Sequence, residues 1–187
     1  MLDFLSVGQK VRGLVILATG MPEEKVIFAN QDGPRPKQTF CTVNIIAEQN
    51  LGQANENFVP TKKIATPQGI FRNFYATVER PVQFTNSLNF YGAEAKSLAS
   101  SLQQANKRSI IGSYLLEQGL GWLQAKSVRD LTDIEFGRYF QRAQLDLDLM
   151  TMDTVTDEVF QTYTIEVGVS SPNSDSVLDM EINKDVL

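Results

Sequence analysis

Apolar and polar residues alternate most regularly in the last third of the chain, between residues 139 and 149. The odd positions there read Tyr139, Gln141, Ala143, Leu145, Leu147 and Leu149, and the even ones Phe140, Arg142, Gln144, Asp146 and Asp148. Successive side chains of a strand point to opposite faces, so this pattern predicts a long strand with one buried face.

A second strand is predicted further along by the same alternation. Its apolar positions are Val159, Tyr163, Ile165, Val167 and Val169. Residues 154–158, which read Thr-Val-Thr-Asp-Glu, lie between the two runs and predict the turn of a long antiparallel hairpin.

Helical spacing of apolar residues marks three other segments. Residues 2–18 carry an apolar stripe that Gly20 and Pro22 end, which predicts an N-terminal helix. Residues 92–107 show the same spacing, and a shorter helix is predicted over 109–116 with Ser109 as its N-cap. These two form a central helix pair.

Shorter β-rich runs predict further strands over 25–29, 39–47, 71–90 and 122–128. Pro81 cannot donate to a sheet ladder, so the third run is predicted to be interrupted there by a bend, a bulge or an edge. Residues 130–133 are turn-like. Residues 49–69 show no period and predict an irregular arm.

The order of these elements predicts an α+β fold. It consists of an antiparallel or mixed sheet with a long C-terminal hairpin, packed against the N-terminal helix and the central helix pair. Residues 1–169 are predicted to form one domain that includes the arm 49–69. Residues 170–187 are rich in Ser, Asn and Asp and predict a polar tail.

Composition narrows the possible functions. The net charge of -5 disfavours a protein that coats nucleic acid, because such proteins need excess Lys and Arg. No histidine occurs, which removes Ser-His-Asp and Cys-His catalysis and most zinc chemistry. The single cysteine, Cys41, cannot form an internal disulfide and is expected to be a small buried apolar residue. No cofactor is indicated.

No apolar run approaches the roughly 20 residues that cross a bilayer. The first residues lack the basic region of a secretory signal, so we expect synthesis in the cytoplasm. No membrane partner is expected.

One carboxylate pair is the only candidate for a chemical site. Asp146 and Asp148 point the same way from one strand and are able to hold a divalent cation, as in a metal-dependent nuclease. The favoured alternative is a solvated outer face interleaved with basic residues. Arg138 and Arg142 pair either with these aspartates or with carboxylates of a neighbouring subunit, and both interpretations stay open.

Four stretches carry a resemblance to a known family. They are the opening amphipathic helix; residues 26–31 followed by Pro34, Pro36 and Phe40; residues 89–92 leading into the helix 93–104; and residues 138–149, which read Arg-Tyr-Phe-Gln-Arg-Ala-Gln-Leu-Asp-Leu-Asp-Leu. In this order, over residues 5–169, the chain resembles the neck terminator proteins of bacteriophages, also known as tail terminator or tail completion proteins.

The resemblance implies a structural virion protein and not an enzyme. Such proteins form a ring, typically hexameric, that ends the tail tube and joins it to the head connector. The implied partners are further copies of the chain, the head-connector or adaptor protein and the tail tube protein. DNA would pass through the channel without sequence-specific binding, in a virion assembled in the host cytoplasm.

A set of charged residues forms the candidate inter-subunit or lumen surface: Arg138, Arg142, Asp146, Asp148, Asp153, Asp157 and Glu158. The hairpin, the arm 49–69 and the tail are the expected contact elements, because a closed ring needs two different complementary patches on each subunit. A tail tube or head-completion protein remains the alternative function within the virion.

Overall fold

A computed structural model describes residues 3–31, 36, 38–66, 69–135 and 138–159. It begins with helix α1 (Phe4–Thr19), which Asp3 caps by accepting a hydrogen bond from the Leu5 amide at 3.0 Å. Gly20 ends the helix in the left-handed conformation, φ 71°, that glycine adopts without steric cost. The predicted N-terminal helix is confirmed.

Helices α2 (Ala95–Gln103) and α3 (Ser109–Glu117) follow in the middle of the chain, separated by a 3₁₀ turn at Ala105–Lys107. Two side chains tie this pair to α1. Arg108 Nη1 donates to the Ala18 carbonyl at 2.9 Å, and the Tyr114 hydroxyl donates to the Lys10 carbonyl at 2.8 Å. The predicted cap is wrong, because Arg108 occupies the N-cap position and no side chain caps α3.

The strands form one seven-stranded sheet and one small two-stranded sheet. Their bounds are β1 (Val26–Phe28), β2 (Phe40–Asn50), β3 (Asn55–Thr66), β4 (Gly69–Tyr91), β5 (Gly121–Ala125), β6 (Arg129–Asp130), β7 (Asp133–Glu135), β8 (Arg138–Phe140) and β9 (Arg142–Val159). The main order is β1-β2-β4-β9-β5, with β3 on β4 and β6 on β9. β1 is parallel to β2, whereas β2–β4, β5–β9 and β6–β9 are antiparallel.

The core of the first unit lies between the helices and one face of this sheet. That unit contains the residues up to Asn55 and Val78–Val155. Its fully buried side chains include Leu14 of α1, Leu102 of α2, Phe84 and Leu88 of β4, and Leu147 of β9. Cys41 is buried here too, and desolvation raises the pKa of its thiol. The α+β class with a mixed sheet is therefore confirmed.

The second unit contains Glu56–Thr77 and the described residues from Thr156 onward. Most of β3, the first part of β4 and the end of β9 belong to it. Within it, the hydroxyls of Thr77 and Thr156 lie 3.2 Å apart.

The prediction of an irregular arm over residues 49–69 is wrong. The segment 49–69 contains the twelve-residue strand β3, which pairs with β4. β4 also continues through Pro81, whose carbonyl accepts from the Leu51 amide at 2.8 Å. Proline has no N–H to donate, but Pro81 lies just beyond Asn50 and Val82, the last residue pair of β2 and β4. No hydrogen bond to β2 is therefore lost.

The turn predicted at residues 154–158 is also wrong. β9 runs without a break from Arg142 to Val159. The partner strand predicted over 159–169 lies outside the described residues except for Val159, and so does the predicted boundary between the domain and the tail 170–187. The turn predicted over 130–133 is present, because the Asp130 carboxylate accepts from the Thr132 hydroxyl and amide, which lowers the pKa of Asp130.

No helix among the described residues is long and apolar enough to span a membrane.

Candidate assembly surface

One face of β9 is polar because apolar and polar side chains alternate along the first half of this strand. Ala143, Leu145, Leu147 and Leu149 point into the helix-covered core, as predicted. The side chains between them point to the other face of the sheet. There they meet the polar residues of β4, which alternate with the buried Phe84, Leu88 and Phe90. We call this set the polar ladder: Thr85, Ser87, Asn89, Lys126, Arg129, Arg142, Gln144, Asp146 and Asp148.

Asp146 lies in the middle of the polar ladder with a donor on each carboxylate oxygen. Arg129 Nη2 donates to Oδ2 at 2.7 Å, and Gln144 Nε2 donates to Oδ1 at 2.9 Å. The Gln144 amide also donates to the Ser87 hydroxyl at 2.8 Å, which connects β9 to β4. Strand β6 brings Arg129 there, because Arg129 pairs with Gln144 in the ladder of β6 and β9.

Asp148 has different partners. The Thr85 hydroxyl donates to its Oδ1 at 2.6 Å, and Lys126 Nζ lies 3.8 Å from its Oδ2. Lys126 follows β5 and is held there because its amide donates to the Asp146 carbonyl at 2.9 Å. Each of the two aspartates is thus balanced by its own cation and its own neutral donor.

The prediction of a solvated face is wrong for this pair. Asp146 is 9% exposed and Asp148 6% exposed. Their partners Lys126 and Arg129 are about half-exposed, so the cations reach solvent while the carboxylates are largely covered. Each carboxylate already has a cation and a neutral donor beside it, and no group of three or more metal-ligating side chains occurs in the described part of the chain.

Arg142 does not pair with either aspartate. Its Nε and Nη2 atoms donate to Asn89 Oδ1 at 3.2 and 2.8 Å, and its guanidinium lies 5.6 Å from the centre of the Tyr91 ring. Tyr91 stacks on Phe40 with ring centres 4.5 Å apart. The polar ladder therefore ends in an aromatic cluster, which sequence analysis did not predict.

The remaining candidate residues lie at the two ends of this region. Arg138 pairs with Glu135 in the backbone ladder of β7 and β8. Asp153, Asp157 and Glu158 all lie in the second half of β9, where Asp157 and Glu158 are exposed and Asp153 is half-buried. The structure thus places the predicted set on one continuous stretch but does not bring it together as one site.

Large exposed apolar side chains mark a second surface that the sequence did not reveal. In the β7–β8 hairpin, Ile134 and Tyr139 are directly paired and are 61% and 79% exposed. Tyr139 was predicted to lie on the buried face of a long strand. That prediction is wrong, because β8 belongs to the separate two-stranded sheet.

A family model described as phage neck terminator protein matches residues 6–174 of the chain. The chain belongs to the phage neck terminator family. The matched residues include both the helix-covered sheet and the polar ladder of this chain. No curated protein matches the chain significantly. Family membership makes it a structural phage protein of the neck or tail, and such a protein is part of the virion and contacts other head or tail proteins.

Sequence reasoning missed the partners of the two aspartates. Thr85 is 63 positions from Asp148, and Arg129 is 17 positions from Asp146. The only local signal was the alternation of Thr85, Ser87 and Asn89 with apolar residues on β4. That alternation predicts a polar face but not which strand lies beside it.

Proposed function

We propose that the chain is one subunit of a hexameric ring that ends the tail tube and joins it to the head connector. The ring leaves an axial channel through which DNA passes without sequence-specific binding. The supporting observation is the family match over residues 6–174, nearly the whole chain. The partners are other copies of the chain, the connector or adaptor protein and the tube protein, and synthesis takes place in the host cytoplasm.

A ring requires head-to-tail contacts, in which two different patches of each subunit meet. Exposed apolar side chains are the natural material for such patches, because large apolar areas left in water favour association. The chain offers Ile134 and Tyr139 on the β7–β8 hairpin, and Met152 and Val155 near the end of the first unit. We assign the inter-subunit contacts to these two stretches.

Electron microscopy of the purified chain, combined with sedimentation at assembly concentrations, tests the ring. Discrete closed rings of uniform diameter are the expected result. Long stacked tubes would identify a tail tube protein instead, since a tube protein must stack indefinitely and a terminator stops growth. In infections that lack the chain, we expect filled heads and tails to accumulate unjoined; normal virions would contradict the proposal.

We place the acidic end of β9 at the channel, because negative charge repels DNA phosphates and favours passage over binding. A variant with Asp157→Lys and Glu158→Lys should retard DNA release from assembled particles and leave the thermal midpoint of the subunit almost unchanged. The matched control is Glu24→Lys with Glu117→Lys, an equal charge change on exposed residues elsewhere. Unchanged release in the β9 variant would remove the lumen placement.

We infer that the chain has no nuclease activity, because Arg129 and Lys126 already balance the Asp146 and Asp148 carboxylates. Supercoiled plasmid incubated with the chain and Mg²⁺ should stay intact. The control is the Asp146→Ala, Asp148→Ala variant. Nicking by the wild type that this variant abolishes would establish the metal-dependent alternative.

A further inference from the structure

Strand β2 has a backbone edge that is only partly used. β1 pairs with it over three residues, and the last bond on that side is from the Ala29 amide to the Val43 carbonyl at 2.9 Å. The next residue, Asn30, has φ 59°, a left-handed conformation that turns the chain away. Within the described ranges, no strand pairs with Asn44–Asn50 on this side.

An apolar groove lies beside this open edge. It has a volume of about 460 Å³ and is bounded by the first turn of α1, the end of β1 and residues 43–48 of β2. Its walls include Phe4, Leu5, Phe28 and Ile46. Phe4, Leu5 and Ile46 are 46%, 69% and 52% exposed, so the groove places apolar surface in water next to unpaired backbone groups.

An apolar groove beside unpaired backbone groups is unusual at the edge of a sheet. Edge strands are normally protected by Lys, Pro or a bulge, because unpaired N–H and C=O groups recruit another strand. β2 has a bulge between Ile45 and Ala47, which limits the length of any added strand, but it carries no Lys or Pro on the open stretch. The edge therefore suits one short strand with apolar side chains on one face.

The chain itself contains a segment with these properties. Residues 177–182 read Val-Leu-Asp-Met-Glu-Ile, in which Leu178, Met180 and Ile182 alternate with Asp179 and Glu181. Added beside β2, such a strand would direct its three apolar side chains into the groove and its acids to the opposite, solvent side. The 19 steps from Val159 to Leu178 span at most roughly 65 Å, enough to reach another molecule.

We propose that the segment Leu178–Ile182 of one copy adds as a strand to the open edge of β2 in a second copy, with its apolar side chains in the groove beside α1. Donor and acceptor are different surfaces of the same chain, so each subunit gives one strand and receives one. This is the head-to-tail arrangement that closes into a ring. The inference rests on the proposed ring and adds a strand exchange to the contacts assigned above to the β7–β8 hairpin and to Met152 and Val155.

Cysteine cross-linking in the full-length chain tests which molecule the segment occupies. In a Leu5→Cys, Met180→Cys variant, mild oxidation should give a ladder of multiples of 20.9 kDa on non-reducing gels. Cys41 does not interfere, because it is buried. The control is Leu116→Cys with Met180→Cys, which places the first thiol on an exposed leucine of α3 away from the groove.

Three outcomes would overturn the proposal. A single, faster-moving monomer band would mean that the segment folds back onto the groove of its own chain. Equal cross-linking of the groove and control variants, or none in either, would mean that the groove is not the acceptor. A ladder confined to the groove variant supports the exchange between copies.

Complementary variants test the contact without cross-links. Leu178→Asp, Met180→Asp and Ile182→Asp together disable the donor, and Phe4→Asp with Leu5→Asp disables the acceptor. The acceptor variant should fold, because both sites are exposed and acids are favourable in the first turn of a helix. Each variant alone should stay monomeric, with association weakened at least about a hundredfold, and a mixture should form one-to-one dimers that do not grow.

The matched control is Asp179→Ser with Glu181→Ser, which keeps the apolar face and should associate within about threefold of the wild type. If the donor variant forms rings as readily as the wild type, the strand exchange is refuted and the proposed ring is unaffected. The wild type could also form no rings while the Leu5→Cys, Met180→Cys variant still cross-links between copies. That result would refute the ring and leave the strand exchange standing. Failure of both measurements would refute both.

Discussion

The two halves of β9 both mix apolar and polar residues and have opposite environments. In the first half, residues 143–149 are buried on both faces apart from the half-buried Gln144, and the buried residues include the charged Asp146 and Asp148. In the second half, Met152, Val155 and Val159 are 49%, 39% and 40% exposed, and most polar residues between them are exposed as well. Alternation along a strand therefore reports which residues share a face, and it does not report what covers that face.

The neighbours of each half explain the difference. Helices cover one face of the first half, and on the other face β4, β5 and β6 bring side chains that satisfy the two aspartates. A buried carboxylate is tolerated only with such donors, because an unpaired charge away from water is costly. In the second half, the Thr151 hydroxyl donates to the Gly119 carbonyl at 2.9 Å and the hydroxyls of Thr156 and Thr77 lie 3.2 Å apart, but no charged side chain of this half is buried. The first half thus anchors the fold, and the second half carries exposed apolar side chains that we propose for assembly.

The largest effect that tests this comparison is expected from the core face of the first half. Leu147→Ala removes a fully buried side chain and leaves a cavity, so we expect a loss of about 2–5 kcal/mol in the free energy of unfolding. The measurement is urea denaturation followed by circular dichroism. The matched change in the second half, Val155→Ala, should cost less than about 1 kcal/mol. Equal losses at both sites would contradict the assignment of the anchor to the first half.

An intermediate effect is expected from the polar ladder. Asp148→Ala leaves the buried Thr85 hydroxyl without its acceptor, so we expect a loss of about 1–3 kcal/mol. Lys126 adds little to this, because it is half-exposed and 3.8 Å away. A double-mutant cycle with Thr85→Val isolates the pair, and the expected coupling is about 1 kcal/mol. Additive losses would show that the two side chains do not act together.

Part of this architecture was predictable from the sequence, because helix and strand periods are local signals. The three helices, the buried face of β9 and most strand positions followed from spacings of two to four residues. β3 was missed because Asn55, Asn57 and Pro60 within it and the Gly and Gln residues beside it are typical of a loop, although Phe58 and Val59 favour a strand. The turn predicted at residues 154–158 is absent because the strand preference of Thr154, Val155 and Thr156 outweighs the turn preference of Asp157.

The candidate surface was less predictable for a different reason. Whether a charged side chain is solvated depends on groups far away in the sequence, such as Thr85 for Asp148 and Arg129 for Asp146. The open edge of β2 depends on where β1 stops and on the left-handed Asn30, which no spacing rule predicts. Pairing between strands, not the pattern within each strand, determines both surfaces.

The smallest effect is expected at the exposed end of β9. Asp157→Asn removes a charge from an exposed side chain, so the free energy of unfolding should change by no more than about 0.5 kcal/mol in urea denaturation. The informative control is Asp148→Asn, which keeps the shape of a buried acid but removes its charge beside Lys126 and should cost more. If the two substitutions had equal effects, the halves of β9 would not differ in solvation. Asp157→Asn could leave the free energy of unfolding unchanged and still alter the association of copies. That result would place the function of the second half of β9 in assembly, because Asp157 would then contribute to contacts between subunits and not to the folding of one.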